Sequence, residues 1–353
     1  MKNRLILLFG FLATALILFK PPVDPDLFWH LKNGEMMWNS GVLADFDRFS
    51  YTFSGYFFPN YSWLAELIFY AGLKTVGFLG LAIIFAVLSA TAIYLSCSPL
   101  LKNPVSAVIV SLFTSLLLQP VLGVRPQTIS FALFAVLWWM INKKLSARAA
   151  RLGFFALFLF WANLHPGFLL GLLVLWYWKI LQKDFLTPVL ATLATLLNPY
   201  GPGLWSTIFT HLSSPANKNQ ISEWLAPNLH TFFGAALFGY FLFNIIVLLS
   251  DRPKPKPQWL AFWLCSSSLA FTGIRYVQFL PLITNRLLVL FLSGLKKNRI
   301  LALFSDWPIW FLTAFVVCGI VSWGKSTTEI ALSPEKLAQS GDYPLAAIKY
   351  LKN

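Results

Sequence analysis

The sequence begins MKNRLILLFGFLATALILFKPPVDPDLFWH (residues 1–30), where an uncharged apolar run is followed at once by prolines, carboxylates and a histidine. The run at 5–19 is continuous and lacks the polar alternation of a strand, so it predicts a helix that crosses a membrane. Lys2 and Arg4 precede this run, which predicts a cytoplasmic N-terminus. No small-residue cleavage site follows it, so we predict that this first span is retained and ends at the prolines.

The composition of the whole chain is that of a protein that crosses a membrane many times. Of the 353 residues, 58% are hydrophobic and 11% are charged, whereas about a quarter of the residues of soluble domains are charged. Lipid leaves only helices and closed barrels with satisfied backbones, so continuous apolar runs predict an all-α integral membrane fold. After the first span, further spans are predicted at 78–96, 105–121, 127–142, 152–164, 167–182, 185–198, 231–250, 258–273, 276–294 and 307–323. The total is about eleven transmembrane helices.

The distribution of charge predicts how these spans are oriented. Alternate threading places most of the 27 Lys and Arg residues in short cytoplasmic loops, and most of the 13 carboxylates and all four histidines outside. The net charge of +14 is therefore a topology signal, and we expect no nucleic acid partner. The chain is predicted to be a multi-pass protein of the cytoplasmic (inner) membrane, with residues 1–323 as the membrane domain and 324–353 as a short outer tail that leaves the C-terminus outside. Its three cysteines show no pairing or metal-binding pattern.

The longest polar stretch, 21–77, is predicted to be an outer loop with two amphipathic juxtamembrane helices. The apolar residues expected to share one face are Leu27, Phe28, Leu31 and Trp38 in the first helix and Trp63, Leu64, Leu67, Ile68 and Ala71 in the second. Both helices are expected to lie at the membrane interface. The residues between them predict an irregular or short-strand connection.

Asp24 and Asp26 are the first candidates for chemistry. Two carboxylates can act as general base and metal ligand, as transfer from a phosphate-linked donor requires. Pro25 favours an extended backbone at Asp24, so the two side chains need not converge. The alternative role for Asp26 is the N-cap of the helix that begins at Leu27.

His30 and Glu66 are further candidates in the same loop. His30 follows Asp26 by four residues, so in a helix the two share a face, although a histidine that only solvates its ring fits equally well. For Glu66 we favour a solvated helix face. For Asp45 and Asp47 we favour turn-forming roles.

Several polar groups lie beside Pro or Gly at the outer ends of predicted spans. They are Arg125, His165, Asn198 and Tyr200. Loop chemistry explains the breaks. It does not explain why Arg125 and His165 lie so close to the apolar layer, where ionisable groups are costly.

A polar stripe is predicted on one face of the span at 276–294. Arg275, Gln278, Asn285 and Arg286 recur there at helical spacing, with Arg286 near the middle of the membrane. Guanidinium groups match phosphate oxygens in bidentate fashion, so the stripe predicts a phosphate or pyrophosphate cavity that Glu223 would complete. Arginines that pair with carbonyls or extend to the interface are the alternative.

The order of these motifs resembles that of bacterial GT-C type glycosyltransferases. The segments that carry the resemblance are DPDLFWHLKNGE (24–35), DRFSYT (47–52), SWLAE (62–66), RPQ (125–127), NLHPG (163–167), LNPYG (197–201) and the Arg275 segment. The group is similar to protein mannosyltransferases and oligosaccharyltransferase subunits. The resemblance implies a many-helix bundle, a polyprenyl-phosphate sugar donor and transfer at the outer face. It maps the acidic motif to Asp24 and Asp26, with Asp24 as the base.

The sequence departs from that group in two ways. Many relatives continue into a sizeable outer domain, so the short tail leaves room for a partner that supplies one. The second acidic motif has no clear position, which leaves a divalent cofactor (Mg²⁺ or Mn²⁺) open. The expected function is a membrane glycosyltransferase that acts on an unknown acceptor. The alternatives are a non-enzymatic flippase for lipid-linked saccharide and a structural subunit of an envelope-polymer assembly.

Overall fold

The computed structural model describes residues 2–21, 24, 26–98, 100–250, 255 and 257–294. These residues form α1 (Lys2–Leu18), α2 (Leu27–Ser40), α3 (Trp63–Cys97), α4 (Pro104–Leu118), α5 (Pro126–Asn142), α6 (Ala147–Leu164), α7 (Phe168–Leu181), α8 (Leu186–Ala194), α9 (Gly203–Ser213), α10 (Pro215–Gln220), α11 (Phe232–Leu249), α12 (Pro257–Thr272) and α13 (Phe279–Gly294). Short 3₁₀ turns occupy Leu100–Lys102, Ser222–Trp224 and Ile274–Tyr276. The described part of the chain has no strand beyond an isolated bridge between Phe46 and Phe57.

The prediction of an all-helical membrane protein is confirmed at this coarse level. Three described helices are long and apolar enough to cross a bilayer: Trp63–Cys97, Ala147–Leu164 and Phe232–Leu249. The total of about eleven spans is not confirmed. The predicted span at 185–198 is a helix of only 9 residues, about 14 Å long at the rise of an α-helix and too short for a bilayer core. The predicted span at 307–323 and the tail at 324–353 lie outside the described residues.

Helix α3 joins two predicted elements, the second amphipathic helix and the span at 78–96. The joint is Gly77, whose φ of 67° lies in the left-handed region that glycine adopts without steric cost. In the first half, Ala65, Glu66 and Phe69 are fully buried, whereas Ile68 on the predicted apolar face is 47% exposed.

This burial results from the packing of α2 against α3. Leu27 and Leu31 of α2 are buried, whereas Trp38 is 60% exposed. Gly34 allows the close approach, because a Cβ there would lie 2.2 Å from the backbone oxygen of Glu66. The polar side of α3 thus faces protein, and its apolar side is left for a lipid environment.

The rest of the fold brings one end of several helices together. Helix α1 packs on α3 and α4, and α13 packs on α3, α4, α5, α11 and α12. Around this core, the segment after α1, the start of α5 and the α6–α7 turn lie near the two 3₁₀ turns at 222–224 and 274–276. The Ile274 N–H donates to the Leu225 carbonyl at 3.1 Å and joins those two turns. The segments with most of the predicted site residues therefore converge.

Candidate functional site

Two adjoining pockets lie where these segments meet. The first, which we call the cationic pocket, has a volume of about 320 Å³. Its polar lining residues are Lys20, Asp24, Arg125, Gln127, Ser222, Glu223, Arg275 and Gln278. The second, the histidine pocket, has a volume of about 240 Å³. Its polar and aromatic lining residues are Asp26, Trp29, His30, Tyr61, Ser62, Gln127, His165, His211, Glu223, Trp224 and Arg275.

Arg125 organises the cationic pocket. It occupies the N-cap position of α5 in an extended conformation, which the following Pro126 favours. Its guanidinium forms ion pairs with both Asp24 and Glu223, and its Nε donates to Asp24 Oδ2 at 2.6 Å. The other oxygen of Asp24 accepts the Asp26 N–H at 2.9 Å. Both oxygens of Asp24 therefore already accept hydrogen bonds from the protein.

Two further cations face this pocket. Arg275 lies over the ring of Trp224, with Cζ 4.2 Å from the ring centroid, and it has no ion pair with a described carboxylate. Burial and, to a smaller extent, the charge of Arg125 lower the pKa of Lys20, whereas Asp24 raises it, and the net result is a pKa of about 8. Lys20, Arg125 and Arg275 thus face two carboxylates, Asp24 and Glu223, with an excess of positive charge.

Buried acceptors without partners lie in the same region. Gln278 Nε2 donates to the Arg275 carbonyl at 3.1 Å, while Gln278 Oε1 has no partner among the described residues. Gln127 Oε1, on the wall shared by the two pockets, also has no partner among the described residues. Such orphaned acceptors are costly and call for an explanation, since most buried polar atoms in proteins are paired. A ligand that carries N–H or O–H donors would satisfy them.

In the histidine pocket, Glu66 orients His30. Glu66 is fully buried, so the favoured interpretation as a solvated helix face is wrong. It accepts from His30 Nδ1 at 2.8 Å, Asn33 Nδ2 at 3.3 Å and Asn60 Nδ2 at 2.5 Å. Since a carboxylate only accepts, His30 Nδ1 carries a proton and donates it to Glu66. The interpretation of His30 as a solvated ring is also wrong, because the residue is 6% exposed.

In His165, by contrast, Nδ1 accepts a hydrogen bond instead of donating one. Its Nδ1 accepts from the Gly167 N–H at 3.0 Å and lies 2.9 Å from Ser130 Oγ. That hydroxyl already accepts from Trp161 Nε1 at 2.6 Å, so its own proton is free for His165. Burial, aided by the charges of Arg275, His30 and Arg125, lowers the pKa of His165 well below its usual value. The ring is therefore neutral and carries its proton on Nε2.

Like His165, His211 on α9 accepts a hydrogen bond at Nδ1. Its Nδ1 lies 3.0 Å from Asn217 Nδ2, which also donates to the His211 carbonyl at 2.9 Å. The second contact fixes the side-chain amide as a donor, so Nδ1 accepts and Nε2 carries the proton. Burial and the nearby Arg275 lower the pKa of His211. The pocket therefore contains two neutral histidines, His165 and His211, each with a donor Nε2–H.

Asp26 lines the histidine pocket, whereas Asp24 lines the cationic one. It occupies the N-cap position of α2 but makes no side-chain capping bond. Among the described residues no ion pair or side-chain hydrogen bond engages its carboxylate. The capping role alone thus does not account for Asp26.

Other predicted site residues lie outside both pockets. Asn198 holds its own turn through Thr195 and Gly201, and Tyr200 Oη accepts the Asn60 N–H at 3.1 Å. Glu66 does not line either pocket but binds His30 Nδ1 from outside. These three side chains shape the site from outside its walls.

The predicted stripe from Arg275 to Arg286 does not form. Arg275 lies in a 3₁₀ turn and α13 begins only at Phe279, so helical spacing does not apply across the segment. Arg286 Nη1 donates to Asn142 Oδ1 at 3.0 Å, at the far end of the 17-residue helix α5 from Arg125. That separation is about 25 Å at the helical rise. Arg286 is therefore not part of the pockets.

Sequence reasoning missed several lining residues, namely Lys20, Trp29, Tyr61, Gln127, His211 and Trp224. Several are immediate neighbours of residues that it selected, and that adjacency was the available signal. Asp47 proves to be a turn-forming acid, as predicted, because it accepts from the Phe49 and Ser50 N–H groups at 2.8 and 2.9 Å. Among the described residues no three His, Cys, Asp or Glu side chains are grouped to hold a metal ion.

Comparisons of the chain with protein-family models, with curated proteins and with solved structures find no match.

Proposed function

We propose that this chain is a membrane glycosyltransferase of the GT-C type. It moves a sugar from a polyprenyl-phosphate-linked donor to an acceptor at the outer face of the cytoplasmic membrane. In this proposal the chain has about eleven spans, a cytoplasmic N-terminus and an outer C-terminus. The observation that carries it is the convergence of Lys20, Arg125 and Arg275 on one pocket, with Arg275 lacking an ion pair among the described residues.

The cationic pocket suits the phosphate of the donor. In the reaction, the bond between the anomeric carbon and the phosphate oxygen breaks, and the electron pair leaves with the lipid phosphate. Fixed cations in a site of low dielectric stabilise that developing charge. Arg275 and Lys20 bind the phosphate, while Asp24 and Glu223 hold Arg125 in position.

The acceptor enters from the histidine pocket. Its hydroxyl oxygen attacks the anomeric carbon, and its proton moves to a general base. The Arg125 contacts of Asp24 favour Asp26 as this base, because the Asp26 carboxylate faces the second pocket without a described partner. The shared wall of Gln127, Glu223 and Arg275 is where the transferred sugar lies between the two partners.

Mass spectrometry of lipids that co-purify with the detergent-extracted protein tests the donor site. We expect a polyprenyl phosphate or its sugar conjugate on the wild type, and its loss in Arg275→Ala. Arg286→Ala is the matched control, since that arginine contacts Asn142 away from the pockets. Equal lipid content in both variants, or bulk phospholipid alone in all samples, contradicts the proposal and favours a structural subunit.

A transfer assay with the co-purifying lipid as donor tests the base. Asp26→Asn should abolish transfer and leave lipid binding intact. If Asp26→Asn transfers sugar at the wild-type rate, Asp26 is not the base. Movement of the lipid across vesicles without any transfer would identify a flippase instead.

A further inference from the structure

The histidine pocket contains hydrogen-bonding groups on rings that cannot rotate freely. His30 and His165 are 6% and 8% exposed, and each has its Nδ1 engaged by the protein. Their Nε2 atoms have no partner among the described residues. The free nitrogen of His165 is a donor, because its Nδ1 accepts a hydrogen bond.

The polar groups along the wall match hydroxyl groups. His165 Nε2–H and His211 Nε2–H are donors, whereas Gln127 Oε1 is an acceptor without a partner among the described residues. A hydroxyl both donates and accepts, so a ligand with hydroxyls satisfies groups of both kinds. An ammonium would leave the two histidine donors without an acceptor, and a carboxylate or phosphate would leave Gln127 Oε1 without a donor. A ligand with several hydroxyls fits this set better than one with a single hydroxyl.

The remaining walls are aromatic. Trp29, Tyr61 and Trp224 line the pocket, and each is held by a neighbouring side chain. Trp29 lies 3.6 Å from the His30 ring centroid, Tyr61 lies 5.9 Å from that of His211, and Arg275 covers Trp224. Aromatic rings bury the apolar faces of a ligand while polar groups at their edges set its orientation. A pyranose, with apolar C–H faces and a rim of hydroxyls, has this character.

From these contacts we infer that the histidine pocket is a saccharide subsite, which holds an acceptor sugar through hydroxyls bound by His30, His165 and His211 and through ring faces packed on the three aromatic side chains. The inference rests on the proposed function and names the class of its acceptor. One hydroxyl of that sugar is left for Asp26, and the others are the groups that the histidines recognise.

Saturation-transfer difference NMR on the full chain in detergent tests this subsite. The probes are methyl α-glucopyranoside, methyl α-mannopyranoside, N-acetylglucosamine and, as a hydroxyl-bearing non-sugar, the peptide Gly-Ser-Gly. We expect signals from at least one pyranose on the wild type and none from the peptide. His165→Leu should weaken binding about fivefold, the effect of one net hydrogen bond, and His211→Leu likewise. The exposed His230→Leu is the matched control.

The outcomes separate the subsite from the donor site. His211→Leu keeps the test valid if His165→Leu does not fold, because His211 lies on the peripheral helix α9. The absence of a pyranose signal, equal signals in wild type and both pocket variants, or a signal from the peptide alone would overturn the inference. If the protein retains polyprenyl phosphate but binds no sugar, only the saccharide subsite is refuted. Sugar binding without the lipid refutes the proposed donor and leaves the subsite in place.

Discussion

Replacing Glu66 with alanine is the most informative perturbation of the site. Glu66 is fully buried on α3 and accepts hydrogen bonds from three side chains that come from α2 and the following loop. It therefore joins two segments of the chain and also fixes the orientation of the His30 ring. The substitution removes the acceptor and leaves its three donors in place.

The expected loss can be estimated from those donors. A buried donor left without a partner costs about 1–3 kcal/mol, and removing one member of a buried pair costs about 3–5 kcal/mol. We expect Glu66→Ala to lower the free energy of unfolding by about 3–5 kcal/mol. Glu66→Gln retains one acceptor oxygen but turns an amide towards the Asn60 donor, so about 1–3 kcal/mol is expected.

The assay is an SDS titration in mixed micelles, followed by tryptophan fluorescence. Glu35→Ala is the matched control, because its partner is the exposed Lys32 and the two side chains are 38% and 57% exposed. Such a surface pair contributes about 0–1 kcal/mol. If Glu66→Ala is no more destabilising than Glu35→Ala, the described network is not what holds α2 on α3.

Two other predictions concern the α2–α3 contact and the cationic pocket. Gly34→Ala should lower the free energy of unfolding by about 1–3 kcal/mol, as overpacking does, because its Cβ would lie 2.2 Å from the Glu66 carbonyl. Gly239→Ala is the control, with open space at its Cβ, and should raise the free energy of unfolding by roughly 0.5–1 kcal/mol. Equal stability of the two variants in the SDS titration would refute the close approach of α2 and α3. Binding of farnesyl phosphate should weaken above pH 8, because Lys20 has a pKa of about 8. Below that pH the amine is charged and binds the anion directly. Above it, the neutral amine must first take up a proton. Fluorescence titration from pH 7.5 to 9.5 should show up to about a tenfold loss per pH unit, absent in Lys20→Met; a flat wild-type profile would exclude Lys20 from the anion site.

Local pattern determined most of the helices. The apolar run at 5–19 became α1, and the runs at 105–121, 127–142 and 231–250 became α4, α5 and α11. Composition alone indicated this, because an uncharged run has no stable alternative to a helix in lipid. Spacing was misleading at Arg275–Arg286, where the chain is not α-helical until Phe279. It was also misleading at 185–198, where the helix ends after Ala194.

The candidate site was predictable only as a set of residues. Arg125 and His165 were selected because ionisable groups beside an apolar layer are costly. Asp24 was selected as one of a pair of carboxylates, and Arg275 as a phosphate ligand whose cavity Glu223 would complete. The structure places all five around two adjoining pockets. Their partners could not be read from the sequence. The Asp24–Arg125 contact joins residues 101 positions apart.

The sequence by itself determined that the chain is helical and apolar, and which polar residues lie at the ends of its helices, since both depend on the residues within one run. Only the tertiary structure decided that Glu66 is buried, that Asp24 is paired while Asp26 is free of described partners, and that His30 Nδ1 donates whereas His165 Nδ1 accepts. These properties depend on donors and acceptors from other helices. A one-dimensional pattern does not contain those neighbours.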